Sequence, residues 1–307
     1  MNCPAAKTFD LYTTLGLRPT STTIAAGHSS LGMVDPSTAR LSLTLTIPPP
    51  PSLDEAAVIG PAASRSGRKG RMTGRPKAAQ LVEVQLELGQ DMRRLKGAGG
   101  DTASVVWRTG LHLLEHVLPH LLHPTAPSSA TPLLSAKHLR ETTVLELGSG
   151  TGALAVVLAP FCRHWTASDL PEALRLIEAN LKLNGLDPLL AVGIQELDWT
   201  TYLPSSPDRP RPPADAASLP GLIIATDVLY HPSLIEPLLA TLNFYSQPGR
   251  TVTLFVAEFR TEDVIRDWLA AWLADGGGWE IRRLSNSTGP GGWGDGGRFV
   301  GWIAWRR

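Results

Sequence analysis

Cysteine is almost absent: the 307 residues hold only Cys3 and Cys162. Two distant cysteines build no disulfide framework and no four-ligand zinc site, and they fit a reducing compartment. Long apolar runs are missing too. Nothing reaches the ~18 residues that a membrane-spanning helix needs, so no membrane span is expected. The first residues lack the charged start and apolar run of a signal peptide. Asp10 and the scarcity of early arginines fit a transit peptide poorly, so a cytoplasmic location is expected. Net charge is missing as well, with Lys plus Arg 28 against Asp plus Glu 28. That balance excludes a basic nucleic-acid coat or an acidic solvating tail as a description of the whole chain. Hydrophobic residues at 43% are enough for a buried core. What abounds is Gly (29) and Pro (26), the residues that punctuate loops.

The chain changes character along its length. Leu41 to Ile47 (L-S-L-T-L-T-I) alternates apolar and polar residues, the period of a half-buried strand, and Pro48 to Pro51 stop it. Residues 53–80 have no apolar period. Arg65, Arg68, Lys69, Arg71, Arg75 and Lys77 outnumber Asp54 and Glu55 there, which reads as a flexible basic linker spanning 48–80. Leu81 to Leu88 alternates again and is expected to pair with 41–47. This predicts an N-terminal, β-containing extension over 1–80 and a catalytic domain over 81–307.

Helical spacing runs from Trp107 to Leu118. From residue 142 strands and helices alternate. Strands are expected at 143–147, 164–169, 189–197, 222–226 and 251–258. Helices are expected at 152–161, 171–184, 233–244 and 261–274, with a proline-rich loop over 200–220. Two more strands, 279–284 and 298–305, are joined by a glycine-rich loop without a helix. Such alternation means a doubly wound α/β sheet, here of seven strands with an antiparallel last strand.

The chemical signal starts at Thr143: T-V-L-E-L-G-S-G-T-G-A. Gly148, Gly150 and Gly152 follow a strand and open a helix, where a backbone must turn tightly and let a ligand approach. Asp169 closes the next strand, where a carboxylate can accept bonds from ribose hydroxyls. Gly148, Gly150, Ala153 and Asp169 also satisfy a dinucleotide fingerprint, so an NAD-dependent oxidoreductase competes with an enzyme using S-adenosylmethionine. Glu146 favours the methyl donor, whose amino group is cationic. The plain alternative is that Glu146 pairs within the fold.

Further motifs follow in order. Asp198-Trp199 closes the third strand, and Asp227-Val228-Leu229-Tyr230 closes the fourth, followed by H-P-S-L-I-E-P-L-L. Upstream stands Ser104-Val105-Val106-Trp107. Together these resemble the seven-strand, Rossmann-like protein-lysine methyltransferases of family 16, over roughly residues 81–307. The segment L-E-L-G-Q-D-M-R-R-L-K-G…D-T-A-S-V-V-W looks most like the fungal lysine methyltransferases of translation elongation factor 1-alpha. The resemblance implies a monomeric enzyme that takes S-adenosylmethionine and a protein substrate, with elongation factor 1-alpha as that substrate. It also implies that Trp107, Gly148, Ser149, Gly150, Asp169, Trp199 and Thr226 bind the donor. Alanine is common at the position of Thr226, and the usual V-W-D reads Val106-Trp107-Arg108 here.

A lysine ammonium has no lone pair, so a site that methylates it must favour loss of its proton. Asp227 is the candidate that attracts and orients the amine, and Tyr230 the candidate at the channel mouth. Methylases of adenine or glutamine nitrogens carry a proline-centred motif at this position, which D-V-L-Y lacks. No direct nucleic-acid binding is expected. A small-molecule N-methyltransferase on the same fold is the nearer alternative. His112, His116, His120 and His123 have metal-like spacing. Pro119 is expected to break that helix and His112 and His116 to lie on a solvated face, so no metal is expected.

Overall fold

The computed structural model describes residues 32–50, 81–96, 102–124, 126, 131–187, 192–213, 215–260, 262–284 and 298–307. The expected linker lies almost wholly outside the described residues. Strands β1 (Arg40–Ile47) and β2 (Val82–Gly89) pair antiparallel along their whole length, from Arg40 opposite Gly89 to Ile47 opposite Val82. The division drawn between residues 80 and 81 therefore separates two strands of one sheet.

After β2 come helix α1 (Arg108–Leu122), β3 (Thr143–Leu147), α2 (Ala153–Leu158), β4 (His164–Asp169), α3 (Pro171–Leu183) and β5 (Val192–Glu196). The second half holds β6 (Leu222–Thr226), α4 (Ile235–Tyr245), β7 (Val252–Glu258), α5 (Glu262–Ala274), β8 (Trp279–Arg283) and β9 (Phe299–Arg306). The seven-stranded sheet has the order β5-β4-β3-β6-β7-β9-β8. Strands β3 to β7 pair in parallel, and β9 runs antiparallel between β7 and β8. The expected antiparallel last strand is therefore present. Its insertion inside the sheet, rather than at the edge, is new.

One core lies on each face of the sheet. Leu113, Leu114, Leu154, Leu158, Ile177 and Leu181 fill one, together with Leu86 and Leu88 from the small sheet. Leu238, Leu242, Trp268, Trp272 and Trp302 fill the other around Phe255. Two asparagines on successive turns of α3 and its cap join the small sheet to the large one. Asn180 Oδ1 accepts from Gly89 N–H at 2.7 Å, while its Nδ2 donates to Gly89 C=O at 3.1 Å and to Thr151 C=O at 2.8 Å. Asn184 repeats the pattern on Glu87, at 3.0 and 2.7 Å. The amides thus satisfy strand groups that would otherwise be unpaired, and Asn180 ties β2 to the loop after β3.

Pro119 does not break α1, which continues through it to Leu122. Leu118 and Leu121 flank the proline and are both buried, and that burial outweighs the roughly 3 kcal/mol cost of an interior proline. The solvated histidine face is also corrected. His112 is 7% exposed and stacks on Phe299, ring centroids 4.2 Å apart. Phe299 opens β9, so a strand distant in sequence covers what helical periodicity leaves to water. Burial pushes the His112 imidazole down to about 3, and burial also lowers His116.

A histidine whose folded pKa lies below its unfolded ~6.5 is neutral in both states above that pH. As pH falls from about 6.5 towards 3, the unfolded chain gains a proton that the native chain refuses, and stability is lost. Replacing His112 with Phe keeps the stack and removes this penalty. The stability of His112→Phe relative to wild type should rise by about 2 kcal/mol between pH 7 and pH 5 in urea titrations. A gap independent of pH would contradict the assignment.

Candidate active site at the carboxyl ends of the strands

The strand order reverses between β3 and β6, and in open α/β sheets ligands sit outside the carboxyl ends at that crevice. The residues singled out in the sequence converge there. Gly148, Gly150 and Gly152 all have positive φ, +67°, +55° and +76°. A Cβ on Gly148 would stand 2.8 Å from Val228 Cγ1 and 3.5 Å from Trp199 Cζ2. The glycine loop, the tryptophan after β5 and the D-V-L-Y segment after β6 therefore meet around one bare Cα. A Cβ on Gly150 would lie 3.4 Å from Ala103 C=O, in the segment leading to Trp107.

Ser149 is buried, and its backbone N–H and its hydroxyl are both used within the fold. Its N–H donates to Ser168 C=O and its Oγ accepts from Ser168 N–H, each at 3.0 Å, tying the loop to β4. Asp169 ends β4. Its Oδ2 accepts from Gly150 N–H at 2.7 Å and its Oδ1 from Leu170 N–H at 2.8 Å. Two N–H donors hold that carboxylate beside the loop in one orientation. Asp198 accepts from Thr200 N–H and Thr200 Oγ at 2.9 and 2.7 Å, capping the turn that carries Trp199.

Glu146 turns inward. Only 2% exposed, it accepts from Trp165 Nε1 at 3.0 Å, and burial drives its carboxyl up to about 8. It pairs within the fold, because β3 is an interior strand, flanked by β4 and β6, and its residues from Val144 to Leu147 are buried.

Thr226 is the last residue of β6 and stands half-buried opposite Val256. Asp227 follows with φ +59°, the one non-glycine with positive φ among the described residues, while its N–H still donates to Val256 C=O at 2.8 Å. Val228 and Leu229 are buried, whereas Tyr230 is 58% exposed. The kink at Asp227 thus sends the apolar pair inward and the tyrosine out to solvent. The Asp227 side chain is 7% exposed and ion-paired with Arg260. Burial raises its carboxyl, and the Arg260 charge and the Glu258 N–H oppose that rise.

Arg260 escaped the sequence reading, as did Gln90. Arg260 also meets Glu258 Oε2 at 3.1 Å, and its guanidinium carbon lies 4.3 Å from the Trp107 ring centroid. Trp107 itself donates from Nε1 to Thr102 C=O at 2.8 Å. Gln90 is buried and donates to Asp35 and Thr38 C=O while accepting from Val106 N–H, each at 2.8 Å. It thereby fixes the chain just before Trp107. A charged residue two positions past a strand's carboxyl end was the available signal for Arg260. Nothing local marks Gln90. Among the described residues no group of three or more His, Cys, Asp or Glu is placed to hold a metal ion, and no helix is long and apolar enough to cross a membrane.

Comparison with known proteins adds a family. A family model described as lysine methyltransferase matches residues 85–265. The chain is 32% identical over 126 residues to the protein-lysine methyltransferase METTL21E of Bos taurus, covering 41% of each protein. It is 27% identical over 186 residues to the protein-lysine N-methyltransferase EFM3 of Chaetomium thermophilum, covering 59% of this chain and 50% of that one. A diaminohydroxyphosphoribosylamino-pyrimidine deaminase of Schizosaccharomyces pombe is 30% identical over 196 residues, 62% of this chain and 43% of that protein. The chain thus spans about half or less of the length of these relatives. The Cys-x-x-Cys pair of zinc-dependent nucleobase deaminases is absent from this sequence, whose two cysteines are far apart.

Proposed function

The chain belongs to the lysine methyltransferase family, and on that premise we propose that it transfers methyl groups from S-adenosylmethionine to a lysine side chain of a protein. The observation that carries the reading is the meeting of Gly148, Trp199 and Val228. It joins the elements suited to the donor with the segment suited to the acceptor. The bound donor supplies a methyl group on a cationic sulfonium.

This chain's residues supply placement, which in a well-oriented pair contributes roughly 7–11 kcal/mol. Gly148 and Gly150 let the backbone come close to the donor, with Ser149 locking their loop onto β4. Asp169 offers an oriented carboxylate to the ribose, Trp199 a flat face to the adenine, and Trp107 and Thr226 the remaining walls. Asp227 meets the acceptor amine, and exposed Tyr230 packs along the lysine stem at the mouth. The exposure of Tyr230 suits a protein substrate better than an enclosed small molecule.

The loop geometry weighs against a dinucleotide. Pyrophosphate wants N–H groups turned towards it. Here the Ser149 and Gly150 N–H groups donate to Ser168 C=O and Asp169 instead.

The acceptor we propose is translation elongation factor 1-alpha, on the resemblance of the L-E-L-G-Q-D-M-R-R-L-K-G segment, with the enzyme acting as a cytoplasmic monomer. Calorimetry should give micromolar binding of S-adenosylmethionine or its demethylated product and none of NAD. Radiolabelled methyl transfer into a matched cytosolic extract should then label one main band, mapped to a lysine. Binding of NAD alone would sink the methyltransferase reading. Label on another protein would move the substrate assignment while leaving the reaction.

A further inference from the structure

Arg260 leaves the end of β7 and reaches three elements at once. Its guanidinium pairs with Asp227 beyond β6 and with Glu258 at the end of β7, through Nη2 at 3.1 Å and Nε at 3.2 Å. The flat face of the same group lies on Trp107. The Glu258 side chain is 0% exposed, and Arg298, just before β9, pairs with its other oxygen. Gly32 presses bare backbone on the pair, since a Cβ there would collide with both Glu258 Oε2 and Arg260 Nη2. Its C=O also accepts from Arg108 N–H at 2.9 Å, which holds the segment over the cluster.

We propose that Arg260 is a positioning residue for methyl transfer: it fixes the Asp227 carboxylate at the acceptor end, supplies its compensating charge, and braces Trp107 at the donor end. The inference rests on the reading of Asp227 as the group that meets the acceptor amine.

Two carboxylates withdrawn from water side by side do not both ionise unless cations compensate them. The groups facing Asp227 are Glu258 and Arg260 from β7 and its following loop, Arg298 beyond Glu258, and the Thr109 hydroxyl of α1. His112, one turn along α1, is kept neutral by burial. Loss of the Arg260 charge leaves burial and Glu258 to push the Asp227 proton on. Arginine suits the position because one planar fork can bridge two carboxylates and stack on an indole at the same time, whereas lysine offers the charge alone.

The test is single-turnover methyl transfer from pH 6 to pH 9.5 for wild type, Arg260→Gln, Arg260→Lys, Asp227→Asn and the Arg260→Gln/Asp227→Asn double variant, with melting temperatures alongside. Arg260→Gln should lose about 10-fold or more at pH 7 and recover as pH rises, its acid limb moving up by about one unit or more. Arg260→Lys keeps the charge and should hold the limb near the wild-type position at a lower plateau. In the Asp227→Asn background, Arg260→Gln should move the limb no further. A loss equal at every pH, tracking a lower melting temperature, overturns the proposal. So does a limb that still moves without Asp227, because the charge would then act through Glu258. Near-normal turnover of Asp227→Asn removes the acceptor reading beneath the proposal, whereas an unmoved limb beside a slow Asp227→Asn removes only the role of Arg260.

Discussion

Asp227→Asn is expected to cut methyl transfer by ~10²-fold or more while leaving donor affinity within a few fold, the scale lost when a positioned electrostatic partner is removed. The backbone explains why Asn is the variant to use. Asp227 sits at φ +59°, a left-handed conformation that Asn tolerates and that costs other side chains about 1–2 kcal/mol. Asp227→Ala would add that strain and a gap, so its activity loss would mix causes. Asn also keeps an oxygen near the Glu258 N–H, which now donates to Oδ1 at 3.3 Å. A purely structural Asp227 predicts another pattern: a lower melting temperature, weaker donor binding and activity falling in proportion. Measuring all three on the same Asn variant separates the two. Near-normal turnover would shift the burden to Tyr230 or to positioning alone.

Gly148→Val should abolish donor binding and lower the melting temperature. From the sequence, a bulky residue here is expected to fill ligand volume and spare the fold. The structure adds strain. Gly148 has φ +67°, where a β-branched side chain is an outlier, and the new Cβ would press on Val228 at 2.8 Å. Either the loop shifts, carrying Trp199 and Val228 with it, or the variant stays strained. Thermal shift with the demethylated product separates ligand loss from destabilisation. At 100 times its Kd a ligand stabilises the native state by about 2.7 kcal/mol, so wild type should gain several degrees and Gly148→Val none. A variant that melts early yet still gains stability from the product would contradict the placement of the donor against Gly148.

Much of the framework of this candidate site is legible in the sequence. The period-2 runs at 41–47 and 81–88 became β1 and β2, paired as expected. The glycines of E-L-G-S-G-T-G took the positive φ that their spacing implies. Asp169 and Asp227 fell at strand ends because the βα alternation places them there. These readings succeed for one physical reason. Periodicity, turn chemistry and the steric freedom of glycine are local properties, written into a few neighbouring residues.

Tertiary structure alone decided the partners. Glu146 could serve a ligand or the fold until Trp165, on the neighbouring strand, accounted for it. His112 belongs to a polar face until β9 inserts beside β7 and brings Phe299 onto it. Pro119 ends a helix in isolation, yet burial of Leu118 and Leu121 carries the helix past it. Asp227 presents itself as a lone strand-end acid until Arg260, beyond the neighbouring strand, pairs with it and stacks on Trp107. Each of these outcomes depends on a residue distant in sequence, and desolvation and ion pairing are set by whichever groups the fold brings within a few ångströms.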